Sequence, residues 1–462
     1  MKVEASSGVW QSLRRRVSAL FQSDINRRIF QAAFVVGGIT FVVKITALLR
    51  DQVIASRFGA GDLVDAYITA FFLPAFMVAA LGDAIAAPLT KGYIDTRQND
   101  GPKAAQELFS QVLTLGILVF LAAWGILWIF ADPSLKVVAS NFSDEKFALT
   151  KHLYLIMLPS VLFGSLTSIL TTMLSGRERF SLSSWASLAP PVVSTIALFV
   201  PGTNEQRIDW LSWAFVGGMV FQLAILIWGL RREQIYAIPR MPHFSPGVRL
   251  TSRRSGATFI NNTIFSGQSF VDQAIAASLG AGSVAMLSYG SKLVMPLMMV
   301  STTAISTAVF PYFAKMASQH DYKGMRHTLK FYTRMVSAVT IPLALVLILG
   351  SSFIISIIFE RGAFDANNTA DVSRVQQMFA LMIPVYSVGM LYSRVLIAMQ
   401  ANRQLVVGSL LIFVLNIIGG IILAKWIGVA GIALSTVVNY TCSLFYKMYV
   451  VERVIQEHEA AT

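Results

Sequence analysis

The chain has 462 residues, of which 55% are hydrophobic and only 13% are charged, and its formal net charge is +13. A soluble protein has roughly a quarter charged residues, so this composition excludes an ordinary soluble domain and indicates surface that faces lipid. The positive charges lie in short gaps between apolar runs and accompany no nucleic-acid motif, which argues against nucleic acid as a partner. Cys442 is the single cysteine, so no intrachain disulfide forms, and no Cys or His spacing predicts a metal site.

Residues 1–28 are predicted to form a basic cytoplasmic segment ahead of the first membrane span. This segment contains the arginines Arg14, Arg15, Arg16, Arg27 and Arg28. The apolar run that follows is longer than the about 7–15 residues of a signal-peptide core. We therefore expect an uncleaved first span.

Twelve runs along the chain are long and apolar enough to cross a bilayer, which takes about 20 residues each. They are 29–50, 63–87, 105–131, 148–174, 181–200, 209–230, 256–279, 284–313, 331–358, 373–398, 404–424 and 428–449. The predicted fold is an all-α polytopic membrane protein. We expect an N-lobe at 29–230, a basic cytoplasmic linker at 231–255, a C-lobe at 256–450 and a cytoplasmic tail at 451–462.

The distribution of Lys and Arg predicts the orientation of these spans. If the N-terminus is cytoplasmic, 24 Lys and Arg residues fall on the cytoplasmic side and nine on the opposite side. This bias predicts that both termini are cytoplasmic. Because six spans per lobe is an even number, the two lobes enter the membrane in the same direction and form a parallel repeat.

Two distant stretches of the chain repeat each other. Residues 51–61 and 272–282 are identical at seven of eleven positions, namely the Asp, Gln, Ile and Ala and the final Gly-Ala-Gly. Each stretch lies where one apolar run turns into the next, and the glycines supply the backbone freedom for a tight turn. Such a duplication is typical of transporters with two similar bundles around a shared site.

Charged residues inside spans are costly and normally face a cavity or the interior of a bundle. Lys44 and Asp51 are two helical turns apart, and Asp65 and Asp83 are five turns apart, so each pair is predicted to share a helix face. These stripes indicate helices that line an aqueous cavity, and Lys292 lies at a similar depth. A local ion pair or snorkelling side chains remain the simpler alternative for the charges near the membrane edge.

Several of these residues belong to motifs that resemble one known family, the MurJ/MviN lipid II flippases of the multidrug/oligosaccharidyl-lipid/polysaccharide exporter superfamily. The resemblance covers residues 29–450. Its motifs are Arg50-Asp51, Arg57-Phe58-Gly59-Ala60-Gly61, Asp65-Ala66-Tyr67, Phe72-Leu73-Pro74, Phe359-Glu360-Arg361-Gly362-Ala363-Phe364, and the stretch from Asn416 through Lys425, Ala430-Gly431 and Ala433-Leu434-Ser435 to Asn439.

The resemblance implies a MATE/MurJ-like fold, a V-shaped pair of six-helix lobes around a cationic cavity. Its function would be alternating-access transport of a polyprenyl-pyrophosphate-linked glycan from the cytoplasmic to the outer leaflet of the bacterial inner membrane. By this resemblance the pyrophosphate is held by Lys44, Arg50 and Lys292, while Asp51, Asp65 and Asp83 orient those cations. No cofactor is expected; the expected partners are the lipid-linked glycan, membrane lipids and, as a further possibility, enzymes of glycan assembly.

The chain departs from the family pattern in three places. The residues after Leu73-Pro74 are Ala75-Phe76-Met77-Val78-Ala79 instead of an Arg pair, and Ser291 stands where the family has an Asp. The predicted spans number twelve, against the fourteen that are common in the family. The glycan is therefore left open between a peptidoglycan precursor and a related exopolysaccharide.

A coupling ion is predicted less directly. By the resemblance, Asn416 and Asn439 on the eleventh and twelfth spans match a region where some relatives bind sodium. Together with Asp272 on the seventh span they form a candidate site for Na⁺ or H⁺. Hydrogen bonding between helices is the simpler explanation for the two asparagines. The membrane potential could instead act on the cavity cations, at about 2.3 kcal/mol per charge per 100 mV.

Two other functions were weighed. A cation-coupled multidrug antiporter of the same superfamily is the main alternative, although it would favour acidic residues in its cavity. A membrane enzyme such as a glycan polymerase generally needs a sizeable outer loop with catalytic Arg or His, and the predicted outer loops are short and contain no His. The sequence therefore favours a transporter over an enzyme.

Overall fold

The structure is a computed structural model that describes residues 24–177, 179–241 and 245–461. Within these ranges every regular element is a helix. Residues 1–23 of the predicted basic segment at 1–28 lie outside the described residues. We call residues 24–241 the N-half and residues 245–461 the C-half.

The described part of the N-half contains ten α-helices and one π-turn at Val78–Gly82 that interrupts the second span. The helices are α1 (Asp24–Phe58), α2 (Asp62–Met77), α3 (Asp83–Asn99), α4 (Pro102–Ile129), α5 (Ala131–Val138), α6 (Asp144–Met157), α7 (Ser160–Gly176), α8 (Phe180–Ala186), α9 (Ala189–Ala197) and α10 (Asn204–Arg232).

The described part of the C-half also contains ten helices. They are α11 (Pro246–Ala277), α12 (Ser283–Ser291), α13 (Val294–Ala308), α14 (Phe310–Ser318), α15 (Tyr322–Leu349), α16 (Ser351–Phe359), α17 (Ala366–Ala380), α18 (Met382–Ala398), α19 (Asn402–Ile427) and α20 (Val429–Ala461).

All twelve predicted spans lie on helices, but not all of these helices are counted as long and apolar enough to cross a membrane. Eight helices of the described part are long and apolar enough to cross a membrane, or nine if the bent pair α6 and α7 is one span. The predicted spans at 29–50, 181–200 and 256–279, which fall on α1, on α8 with α9, and on α11, are not among these helices of the described part. The chain is an all-α polytopic membrane protein.

Two helices extend beyond the predicted spans. α11 begins at Pro246, inside the stretch predicted as a linker, because the Ser245 side chain accepts a hydrogen bond from the backbone N–H of Val248 and caps the helix. α20 continues to Ala461 and so includes nearly all of the predicted tail.

Prolines break the spans at two places that matter for the site. α6 and α7 meet at an angle of 42°, and Pro159 lies between them. α12 ends at Ser291, and the chain turns at Lys292 before α13 begins. Pro296 has no N–H to donate to the carbonyl group of residue 292, which favours a helix break at this position.

The two halves have separate apolar cores and a third core between them. Buried side chains such as Phe109 and Phe120 form the core of the N-half, and Phe379 and Ile432 belong to a core of the C-half. The third core joins residues from both halves, among them Ile54, Tyr289, Phe359 and Phe364. The halves therefore meet through apolar packing at the end where α1 turns into α2.

Candidate functional site

A cavity of about 730 Å³ lies between the two halves, with α1 on one side and the α12–α13 break on the other. We call it the cationic cavity because Lys44, Arg50 and Lys292 line it, together with Asp51. Most of the remaining lining is apolar. All three residues predicted to hold a pyrophosphate therefore face one common space.

Asp51 bridges two of these cations. Its Oδ1 atom is 2.7 Å from the Nη2 atom of Arg50, and its Oδ2 atom is 2.7 Å from the Nζ atom of Lys292. Asp51 itself is buried, whereas the side chain of Lys292 is 32% exposed. One carboxylate thus holds two cations in place without using all their donors, since a guanidinium has five N–H groups and an ammonium has three.

Lys44 contributes a further positive charge near the mouth of the cavity. Its side chain is exposed, and no carboxylate of the described residues lies within 4 Å of it. It lies on the same face of α1 as Asp51, because seven residues make two helical turns. The described lining of the cavity therefore carries three cations and one paired carboxylate, which leaves a positive charge available to an anionic ligand.

Beyond Arg50 the two halves close against each other. We call this region the sealed end; it consists of residues 51–65, 279–289 and 355–364. Across it the Gln52 side chain donates to the Ile358 carbonyl group at 2.6 Å, and the Ala363 backbone N–H donates to the Ser56 carbonyl group at 2.8 Å. Both copies of the repeat and the Arg361–Phe364 motif therefore meet at one junction.

Two glycines permit the close approach at the sealed end. Gly59 has φ +66° and Gly282 has φ +79°, values that favour glycine. A Cβ atom on Gly59 would lie 2.7 Å from the carbonyl oxygen of Ala363, and one on Gly282 would clash with the carbonyl oxygen of Ala60. Each turn therefore requires glycine, because a side chain at that position would collide with the backbone of the other half.

Asp65 lies in the sealed end and not on the cationic cavity, so the prediction that it orients the cavity cations is wrong in its geometry. Its carboxylate accepts hydrogen bonds from the backbone N–H groups of Gly282 (2.7 Å) and Ala285 (2.8 Å). Asp65 is thus an N-cap for α12 supplied by the other half, and its charge also favours the positive end of that helix.

Lys146 completes this cluster, although the sequence did not single it out. Its Nζ atom is 2.8 Å from Asp65 and 2.6 Å from Asp62, and it also lies over the ring of Phe142. The acidic pair Asp62 and Asp65, one turn apart on α2, was the available signal for a nearby cation. Nothing in the sequence around Lys146 identified it as the partner.

Asp83 also lies away from the cationic cavity. It is exposed, and its carboxylate accepts a hydrogen bond from the Ser168 hydroxyl group on α7. The predicted face shared with Asp65 assumed a regular helix. The π-turn at Val78–Gly82 inserts an extra residue into that helix and so rotates Asp83 by about 100°.

The candidate ion site is only partly as predicted. Asn416 donates a hydrogen bond to Asp272 at 3.1 Å, but Asn439 contacts Ser435 instead. The second contact to Asp272 comes from the Thr436 hydroxyl group at 3.4 Å, one helical turn before Asn439. The Oδ1 atom of Asn416 is buried without a hydrogen-bond partner among the described residues, so an oxygen ligand is available beside the carboxylate.

Comparisons with known proteins agree with this geometry. Residues 54–462 match the family described as MurJ, lipid II flippase. A protein of Rhizobium tropici named "Probable lipid II flippase MurJ" is 29% identical over 369 residues, which cover 76% of this chain and 67% of that protein.

Solved structures share the fold. A structure described as lipid II flippase MurJ in an inward closed conformation has a TM-score of 0.76 and 22% sequence identity, and covers 92% of this chain and 90% of that chain. An inward-facing multidrug transporter of the MATE family has a TM-score of 0.75 and 12% identity, over 93% of this chain and 99% of that one.

Proposed function

This chain belongs to the MurJ family of lipid II flippases, and from that premise we propose that it moves a polyprenyl-pyrophosphate-linked glycan across the bacterial inner membrane. It is a multi-pass membrane transporter and not an enzyme. The observation that carries the proposal is the convergence of Lys44, Arg50 and Lys292 on one cavity between the halves.

The cavity suits a pyrophosphate because this headgroup cannot cross about 30 Å of hydrocarbon unaided. Lys and Arg side chains in a partly dehydrated cavity replace the hydration of the phosphates with charge-assisted hydrogen bonds. Arg50 can present its remaining N–H groups to two phosphate oxygens, whereas Lys292 acts as a compact point charge. The apolar part of the lining can face the lipid tail.

Asp51 holds the two cavity cations Arg50 and Lys292 in position before the cargo binds. Without it, Arg50 and Lys292 would repel each other in a low-dielectric space. With it, both cations are positioned before the cargo arrives. The cargo can then be released, because the carboxylate continues to neutralise part of the charge.

Transport by alternating access needs a cavity that is closed on one side at a time. The sealed end closes the cavity beyond Arg50, and Lys44 lies towards the open side. By the positive-inside rule both termini are cytoplasmic and the sealed end faces outward. The structure then corresponds to a state that receives cargo from the cytoplasm.

The main alternative is a cation-coupled multidrug antiporter. A cationic drug would require acidic groups with free oxygens in the cavity. Among the described residues that line the cationic cavity, Asp51 is the one carboxylate, and both its oxygens are engaged with cations. Its charge therefore favours an anionic cargo.

Asp272 is our candidate for energy coupling by a monovalent cation. The donor set fits such an ion because the Asp272 carboxylate, the Thr436 hydroxyl and the unpartnered Asn416 oxygen are hard oxygen ligands. A cation bound there would stabilise whichever state of the C-half holds these helices together. Asn439 has no part in this proposal, since it bonds to Ser435.

The proposal is tested with Lys44→Ala and Lys292→Ala, with Lys425→Ala as a matched control because Lys425 is exposed and distant in sequence from the cavity lining. Each cavity variant loses a charge-assisted contact of about 1.5–3 kcal/mol. We expect binding of undecaprenyl pyrophosphate to the purified protein to fall more than about tenfold and complementation of a flippase-depleted strain to fail. Wild-type binding and growth with both cavity variants would reject the proposal.

A further inference from the structure

A second cavity, of about 460 Å³, adjoins the cationic cavity and lies within the C-half. We call it the C-half cavity; it is lined by residues of α11, α12, α13, α17, α18 and α20. The two cavities share four lining residues, Gln273, Ser291, Met295 and Met299. Ser291 and Lys292 are neighbours at the helix break, so the C-half cavity begins directly beside a cation of the first cavity.

Several polar groups of the C-half cavity have no hydrogen-bond partner among the residues that the structure describes. The Gln273 Oε1 atom is buried and accepts no hydrogen bond from any described residue. Gln268 and Ser269, which also line the cavity, form no side-chain hydrogen bonds within the described part of the chain. An unsatisfied buried polar group costs about 1–3 kcal/mol, so the Gln273 oxygen is placed for a ligand or for water, and the more accessible Gln268 and Ser269 have free groups beside it.

The chemistry of this lining differs from that of the cationic cavity. It contains the Asp272 carboxylate of the candidate ion site, two amides, several hydroxyl groups and the aromatic rings of Tyr386 and Tyr440, which pack edge-to-face with centroids 5.2 Å apart. The described residues that line it include no Lys or Arg. An anionic headgroup would find no cation there, and a hydrocarbon tail would leave the amides unsatisfied. Amides, hydroxyls and flat rings instead suit a neutral ligand with many hydroxyl groups.

A pyrophosphate-linked glycan has such a group next to its phosphates, because the first sugar is bonded directly to the pyrophosphate. A pyrophosphate held by Arg50 and Lys292 would place that sugar at the shared wall formed by Ser291 and Gln273. The volume lies within the range of about 300–1,000 Å³ that is usual for small-molecule sites, so it can hold a sugar ring.

We propose that the C-half cavity receives the sugar attached to the pyrophosphate and that Gln273 and Gln268 are specificity-determining residues which bind its polar substituents. This inference rests on the proposed function, because the cations of the first cavity must hold the pyrophosphate. It adds that the chain distinguishes a lipid with a glycan from the bare lipid carrier through uncharged groups of the C-half.

The test compares two probes, lipid II and undecaprenyl pyrophosphate, binding to the purified full-length protein in native mass spectrometry at one fixed sodium concentration. The variants are Gln273→Leu and the double variant Gln268→Leu/Gln273→Leu. Gln377→Leu is the matched control, because Gln377 lies in the same half, bonds to the Ile348 carbonyl group and does not line the cavity. The Gln273 variant should fold, since Leu is similar in size and the Oε1 atom that it removes has no partner.

We expect Gln273→Leu to weaken lipid II binding about five- to tenfold, the double variant to weaken it further, and both to bind undecaprenyl pyrophosphate as the unmodified protein does. Equal losses for the two lipids, or no loss for lipid II, would overturn the inference. It would also be overturned if the unmodified protein bound lipid II no more tightly than the bare carrier. If the unmodified protein bound neither lipid, the proposed function itself would fail.

Discussion

The two copies of the repeated motif begin with the same pair of residues but place them in different surroundings. In the first copy Asp51 is held between two cations, and Gln52 bonds across the sealed end to the Ile358 carbonyl group. In the second copy the partners of Asp272 among the described residues are the neutral Asn416 and Thr436. Its neighbour Gln273 faces the junction of two cavities with an unpartnered oxygen.

This comparison shows which structural features the two copies still share and which have changed since the duplication. Both copies end in a Gly-Ala-Gly turn at the sealed end, so the shared part of the motif determines how the halves meet. The surroundings of the Asp determine its role. An Asp between two cations helps to build an anion site, whereas an Asp among neutral oxygens can bind a cation.

The largest effect should come from removing the carboxylate of the first copy. Asp51→Ala leaves Arg50 and Lys292 unneutralised within a few ångströms of each other, and breaking a buried ion pair costs about 3–5 kcal/mol. We expect transport to be lost and the midpoint of thermal unfolding of the detergent-solubilised protein to fall. Complementation of a flippase-depleted strain and a melting curve measure the two effects.

Asp132→Ala is the matched control for this prediction. Asp132 pairs with Lys151 at 2.8 Å, but both side chains are well exposed, so this pair should contribute no more than about 1 kcal/mol. If Asp51→Ala were as stable and as active as Asp132→Ala, Asp51 would not be the group that holds the cavity cations in place.

A smaller effect is expected from the glycines that the two copies use differently. In the first copy the first glycine, Gly59, touches the other half, and in the second copy it is the last, Gly282. Alanine at either position adds about 1–2 kcal/mol of backbone strain and a steric clash across the sealed end. Both variants should therefore favour the state in which this end is open.

Gly61→Ala is the control, because Gly61 has a negative φ and the nearest atom to a Cβ there, the Phe58 carbonyl oxygen, lies at 3.9 Å. Ser288 lines the cationic cavity next to the sealed end. The readout is labelling of Ser288→Cys, in a Cys442→Ser background, by an impermeant maleimide added outside the cell. Gly59→Ala and Gly282→Ala should raise the labelling rate roughly 5–30-fold and Gly61→Ala should not. Equal rates in all three would show that these contacts do not control access.

The fold could be predicted from the sequence because it depends on long apolar runs and on the duplicated turn. The repeated turns at Gly59 and Gly282 lie between helices as predicted, whereas their junction with the motif around Arg361 was not predicted. The limits of the helices were less predictable. A serine cap at Ser245 extends α11 into the basic linker, and the continuous helix α11 is not among those of the described part that are apolar enough to cross a membrane.

The prediction of the candidate site was correct where the helices are regular and wrong where they are not. Lys44 and Asp51 share a face because α1 is unbroken between them. Asp65 and Asp83 do not, because one π-turn separates them. Lys146, the partner of Asp65, and Thr436, the partner of Asp272, were missed for another reason. Their contacts join helices that are far apart in the chain, and no local sequence pattern indicates which distant residues meet.

The smallest effect, and the sharpest test of the difference between the copies, is expected from Asp272→Asn. This change keeps the size of the side chain and removes only its charge, so the fold and the cationic cavity should be unaffected. We expect binding of undecaprenyl pyrophosphate without sodium to be unchanged, while stimulation of transport by sodium, about fivefold at the low end of coupling between sites, is lost.

Thr436→Val should weaken the stimulation, whereas Asn439→Ala should preserve it, since Asn439 bonds to Ser435 and not to Asp272. The measurement is transport by reconstituted protein in sodium and in N-methylglucamine buffers. An Asp272→Asn variant that still responds to sodium like the unmodified protein would mean that the second copy binds no coupling ion, and that the neutral surroundings of its carboxylate serve only to hold α11, α19 and α20 together.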